Sequence, residues 1–197
     1  MTISALLLLA CGERDTSDPK ETDPPSCDTS DTGDTGLQVG VIEGACRCED
    51  PLVAIGEGLD HFVAPVEGEC LQMVHGPQGG WHLPAAVLAT NTRNVVSILA
   101  WAETEGVRMT DELTYRVQLV PEDTCEGSFP NMYLYLTAKH TGSEDNPAEL
   151  FSCKEAVITM CVEDTGGNAV CGERTVLVAP DPRDVEKGMV PACEPCL

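Results

Sequence analysis

Three consecutive segments decide the fold: Ala156-Val157-Ile158-Thr159-Met160-Cys161-Val162, then Asp164-Thr165-Gly166-Gly167-Asn168, then Val170-Cys171-Gly172-Glu173-Arg174-Thr175-Val176. In the first, Ala156, Ile158, Met160 and Val162 alternate with their neighbours, the period of a strand with one face on a core. The middle segment holds Gly and Asn, which tolerate positive φ, so it reads as a turn. The third reads as a second strand. Centring the hairpin on Gly166 puts Cys161 opposite Cys171 at bridging distance, so the register itself predicts a Cys161–Cys171 disulfide.

The same period recurs on either side. Tyr115, Val117 and Leu119 alternate with Thr114, Arg116 and Gln118, and Met132, Leu134, Leu136 and Ala138 with Tyr133, Tyr135 and Thr137. Val95 to Ala102 is more evenly apolar, which suits burial on both faces. It follows the strand Leu83 to Thr90 across the turn signal Asn91-Thr92-Arg93-Asn94. Leu52 to Ile55, Cys70 to His75 and Arg174 to Val178 are further strands. Nothing has helical periodicity with caps; Asp111-Glu112 and Asn146 to Leu150 allow at most a short turn. Eight to ten short strands punctuated by Gly, Pro, Asn and Asp predict an all-β domain, a β-sandwich of immunoglobulin-like type with disulfides, with a barrel as the alternative.

The 197 residues suit one such domain plus an N-terminal extension. Aromatics are only 4%, so the core rests on Val, Leu, Ile, Ala and Met. The net charge of −22 is shared by both parts, with −6 in residues 12–36 and −16 in residues 37–197. Such a surface repels phosphate backbones, which excludes nucleic acid and electrostatic docking on anionic lipid.

The chain opens Met1-Thr2-Ile3-Ser4-Ala5-Leu6-Leu7-Leu8-Leu9-Ala10-Cys11-Gly12. The apolar run is too short for a membrane span and has the length of a signal-peptide core. Leu8-Leu9-Ala10-Cys11 resembles the bacterial lipobox, although no Lys or Arg precedes the run. The resemblance implies a signal peptide over residues 1–10, cleavage before Cys11 and acylation (palmitate included) of that cysteine. The protein would then be anchored in the cell envelope through its N-terminal lipid, with Gly12 compatible with sorting to an outer membrane. Residues 11–36 read as an acidic, disordered tether, since Asp-Thr repeats every three residues from Asp28 and nothing apolar is present to bury. The triplets Asp31-Thr32-Gly33 and Asp34-Thr35-Gly36 match that of aspartic proteases, but adjacent triplets cannot face each other from two lobes.

Ten cysteines remain besides Cys11: 27, 46, 48, 70, 125, 153, 161, 171, 193 and 196. An even set in an exported chain reads as disulfides. The close pairs Cys46/Cys48 and Cys193/Cys196 also allow a four-thiolate zinc site. An oxidising compartment favours disulfides that staple the two ends of the domain together.

One segment resists a purely structural account: Met73-Val74-His75-Gly76-Pro77-Gln78-Gly79-Gly80-Trp81-His82-Leu83. It resembles a Gly-Pro-Gln-Gly-Gly-aromatic-His motif of secreted bacterial β proteins and lipoproteins; Ile55-Gly56-Glu57-Gly58, Phe62 and Pro65 fit the same pattern. The resemblance implies kinship and no activity. Gly-Pro followed by Gly-Gly makes a tight connection, with His75 and His82 on its two arms. Three readings stay open. The loop is a hairpin packed through Trp81; or His75 and His82, with Met73 and His61, hold copper or zinc; or Trp81 stacks a glycan or small ligand.

No nucleophile elbow, P-loop, HExxH or dinucleotide fingerprint is present. The reading is a non-catalytic binding or structural module of residues 37–197, monomeric, without a resident cofactor, whose partner is a protein or glycan. A metal-binding envelope protein and a secreted hydrolase are the alternatives.

Overall fold

The computed structural model describes residues 50–66, 68–123 and 125–196. The signal peptide, Cys11, the tether and Cys27, Cys46 and Cys48 lie outside the described residues. Eleven strands are described: β1 (Leu52–Gly56), β2 (Cys70–Gln72), β3 (Val74–His75), β4 (Trp81–Thr90), β5 (Val95–Thr104), β6 (Val107–Arg108), β7 (Leu113–Gln118), β8 (Val120–Asp123), β9 (Glu126–Tyr135), β10 (Glu155–Asp164) and β11 (Ala169–Ala179). Two five-residue helices, α1 (Pro147–Phe151) and α2 (Pro182–Glu186), interrupt the loops. Among the described residues no helix is long and apolar enough to cross a membrane.

The strands form two packed sheets. One runs β1-β4-β9-β8, with β3 also on β4; the other runs β2-β11-β10-β5-β6, with β7 also on β5. Every pairing is antiparallel except β2 with β11. Setting aside the short β3 and β6, this is an immunoglobulin-like arrangement. Strands β1, β4, β9 and β8 take the places of the four-stranded sheet, and β5, β10 and β11 those of the three-stranded one. Two hallmarks of antibody domains are missing: β4 has no cysteine to bridge to β10, and Trp101 on β5 turns outward, under the guanidinium of Arg108.

Alternation builds the core. On β5, Val96, Ile98, Ala100, Ala102 and Thr104 are buried while the residues between them are half-exposed. They meet Ile158, Met160, Val162, Val176 and Val178 on their own sheet and Leu83, Ala85, Val87, Met132 and Leu134 on the other. Each fully buried aliphatic side chain of this kind contributes about 1.5–3 kcal/mol by leaving water. On β11, Gly172 lets the sheets close at their side: a Cβ there would lie 2.8 Å from the Val53 carbonyl oxygen of β1.

Two connections differ from a simple hairpin. Asn91 to Asn94 does turn the chain, but β4 and β5 belong to opposite sheets, so the turn is an arch between layers. Buried Leu119 makes the same crossing between β7 and β8. Within the second sheet, β10 and β11 pair with Cys161 opposite Cys171, and a disulfide joins them on the outer face.

The C-terminal cysteines do not use each other or form a thiolate site. Cys193 bonds Cys153 and Cys196 bonds Cys70, so the chain end is sewn to the start of β10 and to β2. This corrects the expectation that the Cys193/Cys196 pair is stapled to the other end of the domain at Cys46/Cys48. Cys125 is disulfide-bonded as well.

Candidate ligand-binding site

The glycine-rich segment forms a hairpin between β3 and β4. The Gly76 N–H donates to the Gly80 carbonyl at 2.9 Å and the Gly79 N–H to the Gly76 carbonyl at 3.1 Å, closing a five-residue loop. Gly79 and Gly80 have φ of 82° and 86°, which side chains with a Cβ rarely adopt. That loop length pairs His75 with Trp81 and Val74 with His82. Cross-strand partners share a face and successive residues alternate, so His75 and Trp81 point to one side and Val74 and His82 to the other.

The inner side is a polar clamp. The His75 ring stacks on Trp81 with centroids 4.6 Å apart. Beneath them lies Asp184 of α2, fully buried, which accepts from Trp81 Nε1 at 2.6 Å and His75 Nδ1 at 2.9 Å. An ionised carboxylate only accepts, so His75 carries its proton on Nδ1 here. Burial pushes the Asp184 carboxyl up, but the hydrogen bonds from Trp81 and His75 outweigh it and hold it below the usual range.

Asp181, the N-cap of α2, grips the backbone of the same residue. It accepts from the His75 N–H at 2.8 Å, while Arg183 Nη2 donates to the His75 carbonyl at 2.6 Å. Arg183 also bonds Asp181 directly, and chiefly for that reason the Asp181 carboxyl sits far below its ordinary value. Both main-chain groups and the ring of His75 are therefore committed to α2. That helix is itself pinned by Val185 against the core and by the Cys193 and Cys196 disulfides beyond it.

The outer side faces water. His82 stands edge-on to Tyr133 (centroids 4.6 Å, 83°) and tilted to Tyr135 (5.9 Å, 60°), because β4 pairs His82 with Tyr135 and Pro84 with Tyr133. These rings, with Leu59, Val74, His75, Pro84, Gln78 and the glycine loop, line an open groove of about 570 Å³. Partial burial lowers the His82 pKa, which keeps the ring neutral at pH 7. Leu59 and Tyr135 are well exposed, at 69% and 59%.

The histidine metal site does not assemble. His75 and His82 face opposite sides of the ribbon, Met73 is fully buried in the core, and His61 is exposed. Among the described residues no three His, Cys, Asp or Glu side chains are grouped to hold a metal ion. Trp81 is not a stacking platform either, since its ring packs on the core and its N–H is held by Asp184. Among the described residues no hydroxyl or thiol is hydrogen-bonded to the imidazole of the Asp184–His75 pair.

Sequence reasoning missed Asp181, Arg183 and Asp184, although Asp181-Pro182 is a helix-start signal, an N-cap followed by Pro at the first position. It read Tyr133 and Tyr135 only as the outward face of a strand. Comparison with protein-family models gives no match, and a search of curated proteins finds no significant one.

Proposed function

We propose that the protein is a non-catalytic binding module of the bacterial cell envelope, displayed from an outer membrane by lipid on Cys11 and a tether over residues 11–36, and that its ligand sits in the His82–Tyr133–Tyr135 groove. The carrying observation is the construction of the hairpin. One face is fixed by buried Asp184 and Asp181 with Arg183, while the other exposes aromatic rings, and no described residue packs over Leu59 and Tyr135. A site held by locked supporting residues is pre-organised, so little ordering is lost when a ligand binds. The groove falls in the size range of small-molecule sites.

Photo-crosslinking in intact cells tests this. A crosslinking amino acid at Leu59 is expected to give a discrete adduct that disappears when His82 and Tyr135 become Ala. The same group at Arg116, exposed on the opposite sheet, is expected to give none. Equal labelling from both positions, or none from Leu59, overturns the groove as the site. In the same cells, Cys11→Ser is expected in the soluble fraction, and its retention in membranes overturns the anchor.

A further inference from the structure

We infer that the ligand of this groove is a neutral saccharide of a few residues; the inference rests on the groove being the binding site. The lining decides by elimination and then by fit. An anion would enter against a net charge of −22. A metal ion or a free ammonium group would look for a carboxylate, and none lines the groove. Burial favours the neutral form of His82, and the lining holds no Asp, Glu, Lys or Arg.

What remains is aromatic surface with unspent hydrogen-bonding groups. The phenols of Tyr133 and Tyr135, the imidazole of His82 and the amide of Gln78 have no hydrogen-bond partner among the described residues. Each of the four can both donate and accept. A sugar hydroxyl also does both, and the C–H-rich face of a pyranose packs on the face of an aromatic ring. An alkyl chain would leave all four polar groups dry and unpaired, at a cost. An extended peptide would need free main-chain groups along the groove. Here the loop backbone is already turned on itself through Gly76, Gly79 and Gly80.

Two parts of the molecule meet to make this chemistry. The hairpin supplies His82 and Gln78, and β9 supplies both tyrosines two residues apart on one face. Trp101, a half-exposed aromatic that lies outward on the opposite sheet, serves as the control surface.

The test is titration of the full, oxidised protein with a panel of neutral gluco-, galacto-, manno- and chito-oligosaccharides. Uronic-acid oligosaccharides and a proline-rich decapeptide serve as counter-probes, and chemical shifts or heat as the readout. At least one neutral saccharide is expected to bind. Tyr135→Ala and His82→Ala should each weaken it by about tenfold or more, equivalent to about 1.4 kcal/mol. Trp101→Ala should leave it unchanged, and the uronic acids should not compete. Binding that survives Tyr135→Ala, or no binding by any neutral saccharide, overturns the inference. A decapeptide bound in a Tyr135-dependent way, with no saccharide bound, overturns it while the groove remains a binding site. A failure of the Leu59 crosslink removes both.

Discussion

Hairpin β10–β11 pairs nine residues of each strand and runs through the centre of its sheet; hairpin β3–β4 pairs two and ends in a five-residue glycine loop. In the long hairpin, buried Ile158, Met160 and Val176 sit on one face and the Cys161–Cys171 bond on the other. Register there is set by the strands themselves. In the short hairpin, two pairs are too few to hold a shape, since even a complete isolated hairpin is marginal in water. Its shape comes from α2, a helix more than a hundred residues further along the chain. The long hairpin is scaffold that contains its own instructions. The short one has its instructions written elsewhere, and under the proposed function that separation leaves its outer face to the ligand.

Three experiments would break or sharpen this contrast. The largest effect is expected from Asp184→Ala, which strands the Trp81 and His75 N–H groups in a buried space. We expect a loss of about 3–5 kcal/mol in urea unfolding, with Asp184→Asn costing less because its amide oxygen still accepts. A loss below about 1 kcal/mol would mean that the clamp does not set the hairpin.

Next comes Cys161→Ser with Cys171→Ser. The bond closes a short loop, with a sequence separation of 10, so its removal is expected to cost about 2–3 kcal/mol at most. Amide exchange should show the β10–β11 pairing intact. A slipped register would show that the bond, and not the alternation, fixes the hairpin.

The smallest effect is a selective loosening in acid. Asp181 and Asp184 have carboxyl pKa values held below the unfolded value near 3.9. Their contribution is therefore complete above about pH 4 and drains away as the pH falls towards the folded values. Relative to intrinsic exchange, which itself slows in acid, amide exchange at His75 and His82 should accelerate as the pH falls from about 4 to about 3 by more than that at Met160 and Gly172. Asp164, whose carboxyl is also held low by Asn168 and Gly166 despite its burial, should let the β10–β11 turn fray without opening the ladder. Uniform acceleration of both hairpins would erase the distinction.

The same contrast explains what the sequence revealed. Cys161–Cys171 was legible because a turn signal, two alternating strands and a residue count all bear on one local register. The two-layer β fold followed from the same alternation in residues 95–104, 113–119 and 132–138. The arch at Asn91 to Asn94 was not legible, since a turn reverses the chain without saying whether the next strand joins the same sheet. Strand β9 also begins earlier than its alternation suggests, because Gly127 and Pro130 interrupt the pattern. At the site, the sequence drew attention to His75 and His82, but their separation onto opposite faces hinges on one residue of register. The partners of Cys70, Cys153, Cys193 and Cys196 were beyond reach, as spacing carries no information about contacts between distant segments.

The Cys70–Cys196 bond, with a sequence separation of 126, makes most of the domain a covalent ring. Within that ring, Cys153–Cys193 closes a second one. A protease that cuts the exposed stretch around Lys139, His140 and Glu144 would open a loop without releasing a fragment. Both pieces would stay threaded to the same core, and the groove, which lies before the cut, would remain joined through sulfur to α2, which lies after it. A chain closed in this way can be nicked and still hold together.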